Sequence, residues 1–341
     1  MKSYYHPKEA LHHPKSYLSR GQMRQPQELP IRADKLLEGF ARMGQPLIEP
    51  KDHGMAPLLR VHDAPYLDFL QTAWHEWKTV GPEWGDEVMS NVYVREPNAL
   101  RGILAKAACY LADGSCPIGE HTWASAYWGA QTAIAATHAV LNGDASAFAL
   151  CRPPGHHARR AAAGGFCYVN NAAVAASLLR DQHQKVAILD TDMHHGQGIQ
   201  EIFYDRDDVY YVSVHGDPTN FYPVVTGFED ETGTGAGLGY NLNLPMPHGS
   251  DETVFFDAVT KAIHAIEAYQ PDALVFCLGF DIYEHDPQSK IAVSTAGFER
   301  LAQIVRQLNL PTVIVQEGGY HYDTLPENLA AFFKGFEGFE R

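Results

Sequence analysis

Residues 185–198, KVAILDTDMHHGQG, lead an apolar β-favouring run directly into two carboxylates and two imidazoles. Alternation along an extended backbone would project Asp190, Asp192 and His194 to one side. Burying an apolar strand that ends in such a group is costly unless a cation balances the carboxylates. A divalent metal meets that need, because carboxylate oxygen and neutral imidazole nitrogen are both ligands of first-row metals.

The rest of the chain supplies a frame for such a site. Short apolar runs alternate with longer helix-like segments, the pattern of a parallel sheet covered by helices. Strands are expected at 146–151, 185–190, 209–215, 273–280 and 312–316. Helices are expected at 31–43, 65–77, 122–141, 171–181, 253–269, 295–308 and 325–336. Ionisable residues come directly after four of the strands: His156 and His157, then Asp190 to His194, then Asp281, then Glu317 to Tyr320. Open parallel sheets place their sites at the carboxyl ends of strands, so these residues should meet at one edge. Residues 81–120 fit the alternation poorly and read as an irregular insertion; such segments are usually functional or interface-forming.

Composition narrows the classes. The 341 residues are 45% hydrophobic and 20% charged, which describes a globular α/β protein that can be one domain over 1–341. A net charge of −15 argues against nucleic acid and favours cationic substrates. No apolar run of membrane-spanning length and no secretory core is present, so a cytoplasmic protein without a membrane partner is expected. Cys109, Cys116, Cys151, Cys167 and Cys277 are odd in number and lack CxxC spacing, which excludes a zinc ribbon and suits a reducing compartment.

Asp192, His194 and Asp281 make a three-ligand set with a position left open, the pattern of a catalytic rather than a structural zinc site. Zinc is the default, and Fe(II) or Co(II) would accept the same donors. His156 and His157, in CRPPGHHA, offer acid–base groups on a stiffened loop. Tyr320, in QEGGY, can donate to the oxygen of a tetrahedral intermediate. Asp190 either holds His156 in one tautomer or shares a monovalent cation with strand-end carbonyls.

Together RPPGHHA, GGFCYVNNAAVAA, ILDTDMHHGQG, LGFDIYEHDP and EGGY resemble the zinc-dependent deacetylases of the arginase–deacetylase superfamily, in order over nearly the whole chain. RVHDAPYLDFLQTAWHEW and SVHGDP look most like the bacterial acetylpolyamine amidohydrolases, a branch close to the histone deacetylases. The resemblance implies one α/β domain with an eight-stranded parallel sheet. It implies Asp192, His194 and Asp281 as zinc ligands, His157 as general base then acid, His156 as its electrostatic partner, and Tyr320 as the carbonyl-polarising group. Gly165, Phe166 and Tyr222 match positions that line the substrate tunnel. One potassium site is implied at Asp190, Asp192, His194, Ser213 and Val214, and an outer one at Phe203, Arg206 and Val209.

One departure stands out. The branch acting on histones has Asp where this chain has Gln197, and an amide cannot carry that charge, although its hydrogen bond could still orient His157.

Three other readings compete. A binuclear manganese ureohydrolase would need a second carboxylate at 283, where this chain has Tyr283. A metal-bearing module without turnover would leave the acid–base pair unused. Within the enzyme reading, acetyllysine in proteins competes with acetylated polyamines. Residues 81–120 carry Glu83, Asp86, Glu87, Glu96, Asp113 and Glu120 against Arg95, Arg101 and Lys106. Folded over the tunnel mouth they would attract a slender polycation, and their Trp84 and Tyr93 suit a homodimer contact.

Overall fold

The computed structural model describes residues 1–94 and 99–338. Eight parallel strands form its main sheet: β1 (Lys2–Tyr4), β4 (Leu47–Ile48), β5 (Ser146–Ala149), β6 (Val186–Asp190), β7 (Val209–Gly216), β8 (Asn241–Met246), β9 (Ala273–Leu278) and β10 (Thr312–Gln316). Their order is β4-β1-β5-β10-β9-β6-β7-β8, and a separate antiparallel hairpin pairs β2 (Tyr17–Ser19) with β3 (Gln22–Arg24). Among the described residues, ten α-helices surround the sheet: α1 (Pro30–Met43), α2 (Ala56–Leu59), α3 (Ala64–Lys78), α4 (Ile103–Tyr110), α5 (Thr122–Leu141), α6 (Asn171–Leu179), α7 (Gln197–Phe203), α8 (Glu252–Tyr269), α9 (Thr295–Gln307) and α10 (Leu325–Glu337). This is the one-domain α/β architecture that the sequence pattern and the resemblance imply.

The central strands are continuously apolar because helices cover both faces. Alternate side chains feed two cores. Val186, Ile188, Val275, Cys277, Val313 and Val315 join α5 and α6 on one face. Ala187, Leu189, Leu274, Phe276 and Ile314 join Phe40, Phe298 and Phe332 on the other. All nine residues of α6, NAAVAASLL, are buried, and their small side chains let the helix lie close to the sheet. The Asn170 side chain caps its first turn by accepting from Ala173 N–H at 2.9 Å.

The strands that carry the ionisable residues, β5, β10, β9 and β6, are neighbours at the centre of the sheet. The structure trims several expectations. The strands expected at 146–151 and 273–280 end at Ala149 and Leu278, and β6 ends at Asp190. Asp192 and His194 therefore lie in a turn, not on an extended backbone. The cause is local: Asp190 Oδ1 accepts Asp192 N–H at 3.1 Å and Asp192 Oδ1 accepts His194 N–H at 2.9 Å, so each carboxylate curls the backbone two residues on. Residues 81–120 are not wholly irregular, since they contain α4, whose buried Ile103, Ala107 and Ala108 face the core. Arg95 and Glu96 of that segment lie outside the described residues.

Candidate active site

Asp192 and His194 come from the turn after β6, and Asp281 from the turn after β9. His194 Nδ1 lies 3.0 Å from Asp281 Oδ2 and 3.3 Å from Asp192 Oδ1. Backbone amides hold both carboxylates: Met193 N–H donates to Asp281 at 3.0 Å and Gly318 N–H to Asp192 at 2.8 Å. A Cβ at Gly318 would stand 2.6 and 2.7 Å from the Asp192 and Asp281 carboxylates, so the turn after β10 admits glycine only.

One donor atom from each of the three residues lies within 4.8 Å of the others, with Asp192 and Asp281 1% and 0% exposed. Burial and then the Asp192 charge push Asp281 up to about 7. Burial opposes charge on His194, but hydrogen bonds to Asp192 and Asp281 raise it to about 9. The cluster draws in a proton because it has too little positive charge. A dication on these O, N, O donors meets that deficit, and the residues fit one. His156, Cys167 and Glu317 also bring donors together. There, however, one Glu317 oxygen already takes two backbone N–H groups and burial holds the Cys167 thiol well above its usual range.

The histidine pair sits on the loop after β5. Glu317 Oε2 fixes that loop by accepting Gly155 N–H at 2.6 Å and His156 N–H at 3.1 Å. His156 Nδ1 lies 3.1 Å from Asp190 Oδ2. Burial opposes its charge, yet Asp192 and Asp190 raise it to about 10, which favours its charged form. The neighbouring ring, 3.9 Å away, behaves oppositely. Burial, with His156 and His194 adding to it, lowers His157 well below its usual value and leaves it neutral. Its Nδ1 meets the Gln197 Oε1 atom.

A cavity of about 470 Å³ opens onto these groups, lined by His156, His157, Asp192, His194, Gly165, Phe166, Tyr222 and Tyr320 among others. Phe221 stacks on His194 with centroids 4.8 Å apart. Gly165 and Phe166 both have positive φ, 54° and 69°. For a bulky residue that is a strained conformation, and it occurs here on the cavity wall. A Cβ at Gly165 would come 2.3 Å from the His157 ring.

Sequence reasoning misses several participants. The β2–β3 hairpin contributes Tyr17, Leu18, Ser19 and Arg20 to the cavity mouth. Arg32 of α1 donates from Nε to Gly319 O and from a terminal nitrogen to Glu317 O, both at 2.6 Å, and so ties down the turn bearing Tyr320. A signal for it does exist: Arg32, Leu36 and Phe40 share one helix face, and a charge on an apolar stripe needs a partner. Asp286 accepts Tyr320 N–H at 2.6 Å and His321 N–H at 2.9 Å from the other side.

The acidic segment behaves differently from expectation. Of the described residues in 81–120, only Asp113 and Ser115 line the cavity. Asp86 pairs with Lys15 and Lys78, and Glu87 accepts Lys15 N–H, so these charges are spent on the surface. The positions implied for potassium fall in two places. Asp190 and Ser213 are partners across β6 and β7 at the carboxyl edge, with Val214 next in β7. Phe203 closes α7, Arg206 N–H donates to its carbonyl at 3.0 Å, and Val209 opens β7 at the opposite edge.

Residues 25–336 match the model of the histone deacetylase domain. An acetylpolyamine amidohydrolase of Burkholderia pseudomallei is 62% identical over 336 residues, covering 98% of each chain. Acetylpolyamine amidohydrolase 1 of Pseudomonas aeruginosa is 43% identical over the full length of both. The crystal structure of the acetylpolyamine aminohydrolase from Burkholderia pseudomallei superposes with a TM-score of 0.97 over 98% of each chain.

Proposed function

The chain belongs to the histone deacetylase family, in the branch of the acetylpolyamine amidohydrolases, and we propose that it hydrolyses the acetyl amide of acetylated polyamines to free amine and acetate. The observation that carries this reading is that Asp192 and His194, which cluster with the buried Asp281 as a three-donor metal set, line one cavity with His156, His157 and Tyr320. Similarity over the whole chain to enzymes named for acetylpolyamines supports the substrate class, and the net charge of −15 favours a cationic one.

The family is zinc-dependent, and Asp192, His194 and Asp281 are the residues that would hold the ion. When bound there, zinc lowers the pKa of a water and polarises the acyl oxygen. His157 takes a proton from the attacking water and passes it to the departing nitrogen as the C–N bond breaks. His156, 3.1 Å from Asp190 through Nδ1, stands beside His157 as its electrostatic partner. Tyr320 donates its hydroxyl hydrogen to the oxyanion. Gly165, Phe166 and Tyr222 shape the passage around the methylene chain. Potassium at the Asp190–Ser213–Val214 and Phe203–Arg206–Val209 positions, a homodimer, and a cytoplasmic setting for the free cysteines belong to the same proposal.

Acetate release from N-acetylputrescine by the zinc-loaded protein tests the reading. His157→Ala should keep its zinc and lose on the order of 10²–10⁴ in kcat. A variant that turns over at the wild-type rate would remove His157 from the reaction.

A further inference from the structure

Three hydrogen bonds lead from His157 to the segment after α4. His157 Nδ1 meets Gln197 Oε1, Gln197 Nε2 donates to the Tyr222 hydroxyl at 2.9 Å, and that hydroxyl donates to Asp113 Oδ2 at 2.7 Å. The direction of this chain is set at its far end, because a carboxylate accepts and never donates. Asp113 Oδ1 takes the N–H and the hydroxyl of Ser115, and Oδ2 takes Gly165 N–H at 3.2 Å as well as Tyr222. The Tyr222 proton is therefore committed to Asp113, and its oxygen is left as an acceptor toward Gln197.

Only the amide nitrogen of Gln197 can satisfy that oxygen, so the amide oxygen faces His157. Facing an oxygen, a neutral imidazole carries its proton on Nδ1 and keeps the Nε2 lone pair free. A Tyr222 hydroxyl without Asp113 could donate to the amide oxygen instead, and the amide could turn round. Its NH₂ group would then donate to Nδ1 and drive the imidazole proton onto Nε2, which no longer accepts one.

We propose that Asp113, acting through Tyr222, is a positioning residue that fixes the Gln197 amide and thereby the tautomer of His157. An aspartate at 197 would need no such device, since both of its oxygens accept. The inference rests on His157 being the base.

The tautomer is read by ¹⁵N NMR of histidine-labelled protein without substrate, with the His157 signals identified by their loss in His157→Ala. Wild type should show the proton on Nδ1. Asp113→Asn, and Tyr222→Phe should the first disturb folding, should move a detectable fraction to Nε2. In the same variants kcat should fall at least about tenfold with KM within about threefold. In a Gln197→Glu background, where an acceptor faces His157 either way, Asp113→Asn should change kcat less than about twofold. An unmoved tautomer in both variants, or a loss of kcat that persists undiminished beside Glu at 197, would overturn the proposal. Because no substrate is present in the NMR experiment, a wrong substrate assignment leaves its result standing.

Discussion

The Arg32 guanidinium lies 4.8 Å over the Tyr320 ring while donating to the carbonyls of Glu317 and Gly319 on either side of Gly318. One buried cation thus holds both the ring and the backbone that carries it. Lysine offers one compact ammonium in place of the two separate guanidinium nitrogens that reach these carbonyls and of the planar group that covers the ring. Tyr320→Phe should lower kcat roughly 10²–10³-fold, the worth of one oxyanion donor, with substrate Kd little changed. Arg32→Lys should lower kcat in the same direction, and the double variant should lose less than the two singly combined. Rapid-quench kinetics beside equilibrium binding checks this; full additivity would separate Arg32 from Tyr320.

Asp281→Ala and Asp192→Ala should each abolish stoichiometric zinc. Loss of a residue merely supporting a ligand costs about 10–100-fold in metal affinity, and loss of one of three donors should cost more. Elemental analysis after dialysis reads the outcome, and full occupancy in either variant would contradict the donor set.

Acid should weaken the fold through His62. This ring is buried between the Arg159 and Arg160 carbonyls on Nδ1 and Asn170 N–H on Nε2, an arrangement that needs the neutral form. Burial lowers it to about 4 in the folded chain, against 6.5 when unfolded. The unfolded state binds the proton first as pH falls, so this stability is complete above pH 6.5 and lost toward pH 4. It amounts to about 3 kcal/mol. Urea titrations across that range should show a shallower pH slope for His62→Gln than for wild type; equal slopes would clear His62 of the effect.

Val92, Tyr93 and Val94 are 56%, 42% and 41% exposed, an apolar stretch on the surface. As part of a dimer contact they should yield a dimer in sedimentation velocity, and Val92→Asp with Val94→Asp should shift it to monomer. Monomeric wild-type protein would defeat the dimer.

Much of this site was legible because its residues stand at the ends of strands whose apolar runs are unmistakable. The Val-rich β10 and the Val186–Asp190 strand announce themselves, and each gives way at once to polar residues that a plain turn would not require. Strands of two or three residues, such as Leu47–Ile48 and Tyr17–Ser19, hold no period to detect. The role of the Gly319–Arg32 link was hidden for another reason: 287 positions separate its partners, and only the folded sheet brings them together. Charge counting misled for residues 81–120, because acids such as Asp86 find lysines on the surface before they reach the cavity.

The ratio of kcat/KM for N-acetylputrescine or N-acetylcadaverine to that for an acetyllysine peptide, measured on the zinc-loaded protein, tests the central claim most directly. The account predicts at least about a tenfold preference for the acetylated diamines, equivalent to about 1.4 kcal/mol in transition-state stabilisation. An equal or higher value for the peptide would contradict it.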